Sequence, residues 1–394
     1  MHIPFNRPYV SGKELEYLQQ ALAGLKLSGD GIFTQKCHAL LESELGVSRA
    51  FLTTSCTHAL EMAALLLDVK EGDEVVMPSF TFVSTANAFV LRGARPIFAD
   101  IRPDTFNLDE TKLESLITSR TKVIVVVHYA GVACEMDPIL AVAERHGVAV
   151  VEDNAHGLFG KYKGKYLGTL GCLATQSFHE TKNFTCGEGG ALLINDQQYI
   201  ERAEVIREKG TDRSRFFRGQ VDKYSWMDLG SSYLPSDVLA AFLYAQLEAR
   251  ERIQAERKRI WEYYHENLFE WAPKAGIQLP IVPQNCEQPF HMYYLVMATL
   301  EKRQRLISYL NAADINSVFH YLPLHLSQMG RRFGGQEGQC PVSEKISDRL
   351  VRLPFYAGLN EADQARIVAA VKDFTSQEAC APVAAGAIQS GEFS

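Results

Sequence analysis

One lysine, Lys182, lies between a strand-like segment and a glycine-rich turn in the stretch SFHETKNFTCGEGGALLI, residues 177–194. A primary amine attacks carbonyl carbons and carries protons when burial suppresses its charge. A lone lysine in a loop is, however, far more often a solvated surface charge. A chemical role for Lys182 therefore depends on what other segments bring to it.

Three other segments carry residue types that suit a common site. Asp153 and His156 follow the apolar run VAVVEDNAH, and Phe82 ends DEVVMPSFTF. Thr57 and His58 lie where FLTTSCTHAL enters a predicted helix, whose free backbone N–H groups and dipole favour a phosphate. The first two segments end predicted buried strands, and parallel sheets of this kind bind ligands at the carboxyl ends of their strands.

Pyridoxal phosphate requires four parts that this set offers. They are an amine, a carboxylate at a strand end, a flat aromatic ring and a helix N-terminus that can bind a phosphate. Each part alone also has an ordinary explanation. Asp153 is equally suited to capping a turn. Taken singly, Phe82 is more often a core residue, His156 more often a structural histidine, and Ser-Cys-Thr more often a plain helix cap. The cofactor interpretation rests on the set, in this order, on one scaffold.

Short Val/Ile runs alternate with helical patterns through the first two-thirds of the chain, which is typical of an α/β fold with a mostly parallel central sheet flanked by helices. Helices are predicted over 58–69, 109–120, 136–147 and 198–210, followed by one long helical stretch over 236–269. We expect a large domain over residues 1–245, a smaller C-terminal α+β domain over 246–378, and a disordered tail over 379–394.

The bulk composition excludes several classes of protein. The 394 residues carry a net charge of −7, which argues against a nucleic-acid or anionic-membrane partner. No apolar run is long enough to insert into a membrane, and no secretory signal is evident. The eight cysteines form no CxxC pair, so neither a metal site nor a disulfide framework is indicated. We expect a cytoplasmic protein.

The order of five segments resembles a known family. SCTHAL, PSFTFVSTANAF, FADIRPDTFNLD, VVEDNAHGLFGKYKGKYLGTLG and SFHETKNFTCGEGGALLIND together are similar to the fold-type I pyridoxal-phosphate sugar aminotransferases of the DegT/DnrJ/EryC1/StrS type. The resemblance extends from IPFNRPYVSGKE to about Phe374. It implies an enzyme that aminates keto-sugars attached to nucleoside diphosphates.

The resemblance also implies roles for individual residues. Lys182 would bind the cofactor aldehyde and move the substrate proton, Asp153 would pair with the ring nitrogen, and His156 would sit beside the ring oxygen. Phe82, rather than Phe80, would stack on the ring. The residues that would hold the phosphate are Thr57, the backbone of His58, and Ser177.

One segment departs from the family pattern. Relatives carry Gly-Tyr-Asn-Tyr-Arg where this chain has GSSYL, residues 230–234. The asparagine reaches the cofactor phosphate of a neighbouring subunit, and Ser232 takes its place with a shorter reach. We still expect a homodimer whose active sites are shared between subunits.

The implied substrates are L-glutamate as amino donor and a nucleotide-linked keto-sugar as acceptor, in the first instance dTDP-4-keto-6-deoxy-D-glucose. Residues 207–223 form a basic segment suited to a diphosphate, although a solvated basic loop is an equal alternative. The predicted substrate contacts are Ser28, Gly29, His128, Tyr129, Arg213, Arg215 and Tyr321.

Several alternatives remain open from the sequence. The enzyme alternatives are a sugar 3-aminotransferase, a 4-aminotransferase that makes the opposite epimer, and a lyase or desulfurase acting on amino acids. A different class is a regulatory protein that binds the cofactor without turnover. Lys182 and Asp153 argue against that class, because a pure binder needs neither the acid–base group nor the group that pairs with the ring.

Overall fold

A computed structural model of the chain describes residues 1–24 and 26–380, so residues 381–394 of the predicted tail lie outside the described residues. A seven-stranded sheet in the order β1-β9-β8-β5-β4-β2-β3 forms its centre. Its strands are β1 (Arg49–Thr53), β2 (Glu74–Pro78), β3 (Arg95–Ala99), β4 (Thr121–Val127), β5 (Ala149–Asp153), β8 (Leu173–Ser177) and β9 (Gly190–Ile194). The predicted α/β class is confirmed.

Burial on both faces explains why the Val/Ile runs become central strands. Residues Val123–Val127 of β4 are buried throughout, as are all residues of β2. The strands from β3 to β8 run parallel, whereas β9 is antiparallel to both β8 and β1. The carboxyl ends of β2, β4, β5 and β8 therefore share one edge of the sheet.

Helices cover the sheet and build the C-terminal part. They are α1 (Glu14–Ala23), α2 (Ile32–Leu45), α3 (Cys56–Leu66), α4 (Val83–Val90), α5 (Met136–His146), α6 (Ile200–Arg207), α7 (Arg213–Phe217), α8 (Asp237–Glu248), α9 (Arg250–Leu268), α10 (Leu300–Ala312), α11 (Gln328–Arg332), α12 (Pro341–Ser347) and α13 (Glu361–Cys380). None of the helices in the described ranges is both long and apolar enough to cross a membrane.

Two helix predictions were wrong in detail. Residues 109–120 form only a 3₁₀ segment, Glu110–Leu116, because Leu113 alone is buried there and no continuous apolar face exists to stabilise an α-helix. The long stretch 236–269 is two helices. Ala249, with φ −88° and ψ 11°, separates α8, which packs against α1 and α2, from α9, which packs against α13.

A second hydrophobic cluster lies in the C-terminal part of the chain, together with Ile3 from the N-terminal arm. It surrounds a three-stranded sheet of β11 (Tyr294–Val296), β13 (Leu350–Arg352) and β12 (Val318–Phe319). A further small sheet contains β6 (Lys161–Tyr162), β7 (Lys165–Tyr166) and β10 (Cys286–Glu287). The predicted boundary at 245/246 falls inside α8, and the division into two domains stays a prediction.

Glu152 on β5 connects the sheet to the turn that follows β7. Its side chain is fully buried, and Oε1 accepts hydrogen bonds from the backbone N–H groups of Leu170 and Gly171, each at 2.7 Å. Oε2 accepts from Gly168 N at 2.8 Å and lies 2.9 Å from His128 Nε2. These four bonds compensate the desolvation of the carboxylate and fix the end of β5.

We predict that Glu152→Gln lowers the free energy of unfolding by about 2–4 kcal/mol. A carboxamide offers one oxygen where the carboxylate offers two, so at least two buried N–H donors lose their acceptor. Urea denaturation followed by circular dichroism measures the loss. Glu287→Gln is the control, because Glu287 is exposed and forms a salt bridge with Lys161, and it should change stability by less than about 0.5 kcal/mol. Equal stabilities of the two variants would contradict the role of Glu152.

Candidate active site

Lys182 lies in the turn after β8, held by a hydrogen bond from its backbone N–H to His179 O at 2.9 Å. Its side chain is half-buried, and burial lowers the pKa of the ammonium to about 8. Asp153 and the thiol of Cys56 oppose this shift, whereas Arg352 adds to it. A substantial fraction of Lys182 is therefore an uncharged, nucleophilic amine near neutral pH.

Asp153 ends β5 and is buried at the same edge of the sheet. Oδ2 accepts a hydrogen bond from Thr85 Oγ1 at 2.7 Å, and Oδ1 accepts from Ala155 N at 3.3 Å. Burial raises the pKa of this carboxyl group, although Thr85, Ala155 and Lys182 partly oppose the shift. A carboxylate in this setting favours a cationic partner such as a protonated ring nitrogen.

His156 follows Asp153 and lies in a stack of imidazoles. Its ring lies 4.2 Å from that of His291 at an angle of 18°, and 6.4 Å from that of His320 at 11°. Burial, reinforced by Lys182 and Arg352, holds the pKa of His156 well below its usual range, so the ring is neutral. Nδ1 is buried and has no hydrogen-bond partner among the described residues.

The N-terminus of α3 lies beside β9 in the same region. Ser55 caps the helix by accepting a hydrogen bond from His58 N at 3.1 Å, and Thr57 Oγ1 lies 2.7 Å from Ser84 Oγ. A Cβ atom at Gly190 would meet Cys56 N at 2.4 Å, so only glycine lets β9 pass this close. This close approach explains the last glycine of the turn after Lys182.

Two phenylalanines near the end of β2 have opposite exposures. Phe80 is 1% exposed, whereas Phe82, at the N-cap of α4, is 57% exposed. The family resemblance predicts Phe82, rather than Phe80, as the ring that stacks on the cofactor. Of the two, Phe82 is the one whose ring is exposed to a ligand. Tyr321 lies 6.4 Å from Phe82 and 5.6 Å from Phe80, measured between ring centroids.

These residues fit pyridoxal phosphate. The ring oxygen would supply a partner for the orphaned Nδ1 of His156. The protonated ring nitrogen would supply a cationic partner for the buried carboxylate of Asp153, which accepts hydrogen bonds from the neutral donors Thr85 and Ala155. The exposed face of Phe82 suits the ring, and the α3 N-terminus suits the phosphate. Ser177, at the half-buried end of β8, adds a hydroxyl at the same edge. The individual roles stay predictions.

His128 does not lie where the sequence prediction requires. It is fully buried, its Nε2 pairs with Glu152, and its Nδ1 accepts a hydrogen bond from Cys134 N at 3.1 Å. Both ring nitrogens are thus used within the protein, which contradicts a direct contact with substrate. Tyr129 is also buried, and its hydroxyl lies 3.2 Å from His320 Nδ1, so it supports the wall of the site from behind.

The remaining predicted contacts lie in segments apart from Lys182. Ser28 is exposed, and a Cβ at Gly29 would lie 2.6 Å from Leu234 Cβ, so the 28–29 turn packs on the GSSYL segment. Ser232 in that segment is exposed. A contact of Ser28 or Gly29 with substrate, or of Ser232 with the cofactor, stays a prediction.

Arg213 and Arg215 lie on α7. The Arg213 guanidinium packs 5.1 Å from the Phe217 ring centroid, and Arg215 pairs with Glu201 at 3.3 Å. Arg215 also lines a cavity of about 300 Å³ between α6 and α7, but neither Lys182 nor Asp153 borders it. A diphosphate contact by these arginines stays a prediction.

Sequence reasoning missed four residues of the site. No sequence motif marks Thr85, which lies in the first turn of α4, or His291. His320 immediately precedes Tyr321, a predicted substrate contact, and this adjacency in sequence was the one available signal. The two rings stack with their centroids 3.7 Å apart. Arg352, at the end of β13, donates a hydrogen bond to His320 Nε2 at 2.6 Å.

Residues 8–372 match the model of the DegT/DnrJ/EryC1/StrS aminotransferase family. The chain belongs to this family. It is 34% identical over 368 residues to GDP-perosamine synthase of Caulobacter vibrioides, covering 92% of this chain and 96% of that protein. It is 30% identical over 379 residues to the spore coat polysaccharide biosynthesis protein SpsC of Bacillus subtilis, covering 94% and 96% of the two chains.

Among solved structures, the PLP form of the putative sugar aminotransferase Spr1654 of Streptococcus pneumoniae superposes with a TM-score of 0.88 and 25% identity, covering 96% of this chain and 99% of that one. The predictions of an enzyme, of fold-type I architecture and of pyridoxal phosphate are thereby confirmed. The protein is a sugar aminotransferase of the DegT/DnrJ type.

The lowered pKa of Lys182 predicts how apoprotein recovers cofactor. The rate at which pyridoxal phosphate produces a visible absorbance band should rise with pH with a midpoint near pH 8, because only the neutral amine attacks the aldehyde. Stopped-flow absorbance measures this rate. Lys182→Ala should give no band, and Lys165→Ala, which changes an exposed lysine, should match the unmodified protein. A midpoint near the ordinary lysine value of about 10.4 would contradict the effect of burial.

Proposed function

We propose that this enzyme transfers the amino group of L-glutamate to the keto carbon of a nucleotide-linked sugar. The observation that carries the proposal is the juxtaposition of Lys182, whose pKa is lowered to about 8, with the buried carboxylate of Asp153 and the orphaned Nδ1 of His156. This set combines a proton carrier, a partner for a ring cation and a donor or acceptor for a ring oxygen.

Bound pyridoxal phosphate supplies the amino-group carrier and a protonated ring that withdraws electrons from the reacting carbon. Lys182 accepts the proton from the carbon that bears the donor amine and returns a proton to the carbon that receives it. Asp153, fixed by Thr85 at 2.7 Å, would keep a negative charge at the ring nitrogen. The α3 N-terminus and Thr57 would hold the phosphate, and Phe82 would cover one face of the ring.

The first acceptor that we propose is dTDP-4-keto-6-deoxy-D-glucose, which would give dTDP-4-amino-4,6-dideoxy-D-galactose for a bacterial surface polysaccharide. The similarity to SpsC, a spore coat polysaccharide biosynthesis protein, supports a role in polysaccharide synthesis. The similarity to a GDP-perosamine synthase favours a second candidate, a GDP-linked keto-sugar. In either case, Arg213 and Arg215 on α7 are the proposed diphosphate contacts.

The proposed homodimer is supported by an exposed aromatic segment. Within residues 216–229, six apolar or aromatic side chains are 38–76% exposed in the single chain, which is a large amount of apolar surface for one segment. They are Phe216, Phe217, Tyr224, Trp226, Met227 and Leu229. The neighbouring Ser232 is exposed as well. A second copy would cover this segment and bring Ser232 toward the cofactor phosphate of the partner.

Turnover with a panel of substrates tests the proposed function. The purified enzyme is incubated with glutamate and dTDP-, GDP- or UDP-linked 4-keto- and 3-keto-sugars, and NMR identifies the product. We expect amination at C4 of one nucleotide sugar and stoichiometric 2-oxoglutarate, with Asp153→Asn at least about 100-fold slower since the ring loses its counter-charge. No product from any nucleotide sugar, or equal turnover by Asp153→Asn, would refute the proposal.

Light scattering tests the dimer. The expected mass is about twice the 44.0 kDa of the chain. The double variant Phe217→Asp/Trp226→Asp should be monomeric, because it places two charges in the aromatic segment. Phe269→Asp, at an exposed position outside that segment, should leave the dimer intact. A monomeric unmodified protein, or an unaffected double variant, would contradict the proposed interface.

A further inference from the structure

Two arginines beside the lysine pocket lack an anionic partner. Arg257 on α9 is 3% exposed, and Arg352 ends β13 with a buried Nε. Neither forms an ion pair with a carboxylate among the described residues, whereas Arg250, on the same helix as Arg257, pairs with Glu44 at 2.6 Å. A buried cation is costly unless a counter-charge or a full set of acceptors compensates it.

Arg257 stabilises the backbone beside the site through hydrogen bonds to two carbonyl groups. Nε donates to Phe290 O at 2.9 Å and Nη2 to His291 O at 2.5 Å. His291, whose Nδ1 lies 2.9 Å from Asn183 Oδ1, is thereby held in its stack on His156. Arg257 therefore acts as a positioning residue, and its Nε already has an acceptor.

Arg352 is different, because its donors are not all used. Nη1 donates to His320 Nε2 at 2.6 Å, and the guanidinium lies 4.7 Å from the Phe5 ring centroid, but the buried Nε has no acceptor among the described residues. Since His320 Nε2 accepts from Arg352, its Nδ1 carries the hydrogen and donates to Tyr129 Oη. The stacked Tyr321 completes the support, so the guanidinium is fixed in one orientation with free hydrogen-bonding capacity.

The charges of the pocket are unbalanced. Three cationic groups, Lys182, Arg257 and Arg352, act on the same imidazole, that of His291. Asp153 is the carboxylate that acts on Lys182, and Glu152 is already compensated by its own four hydrogen bonds. Arg352 itself has an unsatisfied Nε and donates to a neutral imidazole, with no carboxylate partner among the described residues, so this geometry calls for an anionic ligand next to it.

We propose that Arg352 binds the α-carboxylate of the amino donor. This assignment rests on the proposed function, in which the donor is an α-amino acid. The α-carboxylate is bonded to the carbon that exchanges a proton with Lys182, so its binding group must lie beside that lysine. Arg352 meets this requirement, because its Nη1 lies 2.6 Å from His320 Nε2 and the His320 ring lies 6.4 Å from that of His156. Its charge also contributes to the lowered pKa of Lys182.

The other anion in the reaction, the diphosphate of the sugar nucleotide, suits Arg352 less well. In a nucleotide sugar, the diphosphate is separated from the reacting keto carbon by most of the sugar ring. A group that contacts the diphosphate would then lie several ångströms farther from Lys182. Arg352 is thus expected to serve the half-reaction that uses glutamate and to have a small effect on the half-reaction that uses the sugar.

Binding of glutarate to the holoenzyme tests the assignment without turnover, because glutarate has the carboxylates of the donor but no amine. Titration calorimetry should show that Arg352→Gln weakens glutarate about 10- to 100-fold, which corresponds to the loss of charge-assisted hydrogen bonds. Arg352→Lys should fall in between, since it keeps the charge but loses the fork. Arg250→Gln, which removes an arginine of a surface ion pair, should bind glutarate as the unmodified enzyme does.

Single-turnover absorbance separates the two half-reactions. Arg352→Gln should raise the glutamate concentration needed for half-maximal rate by a similar 10- to 100-fold, with the value for the sugar nucleotide within about threefold. Unchanged glutarate and glutamate values, or a rise confined to the sugar nucleotide, would overturn the assignment. If Arg352→Gln does not fold, as judged by thermal unfolding, the same comparison is made with Arg352→Lys. Failure of the unmodified enzyme to use glutamate would instead refute the proposed donor.

Discussion

The burial of two adjacent carboxylates at the end of β5 is the constraint on which the site depends. Neighbouring residues of a strand face opposite sides of a sheet, so Glu152 and Asp153 cannot share partners. Glu152 is satisfied on one side by three backbone N–H groups and His128. Because that side is fixed, Asp153 is held on the other with only Thr85 and Ala155 as donors, which leaves it free to take a cationic partner.

Desolvation then sets the chemistry of the whole pocket. The same burial that raises the pKa of Asp153 lowers that of Lys182 to about 8 and keeps His156 neutral. These shifts favour groups that exchange protons near neutral pH. The guanidinium of Arg352, which has no carboxylate partner among the described residues, adds a positive charge that suits an enzyme whose two proposed substrates and cofactor are all anions.

Much of the fold followed from local sequence patterns. The Val/Ile runs at 73–80, 122–131 and 148–156 predicted β2, β4 and β5, because a continuous apolar run is typical of a strand that is buried on both faces of a sheet. The helix predicted over 109–120 failed, since its pattern gave one buried residue and the segment is held by a turn at Asp109 instead. The break at Ala249 was also invisible, because neighbours in space, and not helix propensity, separate α8 from α9.

The sequence by itself placed Lys182, Asp153, His156 and Phe82 next to strands and helices that end at the same edge of the sheet, and the family resemblance supplied their roles, which stay predictions. Only the tertiary structure decided that His128 turns away to Glu152, and that Thr85, His291, His320 and Arg352 complete the pocket. Those residues come from segments distant in sequence, and Thr85 alone is 68 positions from its partner Asp153. The contacts of His291, His320 and Arg352 arise from packing of the C-terminal part against the sheet edge, which no local periodicity encodes.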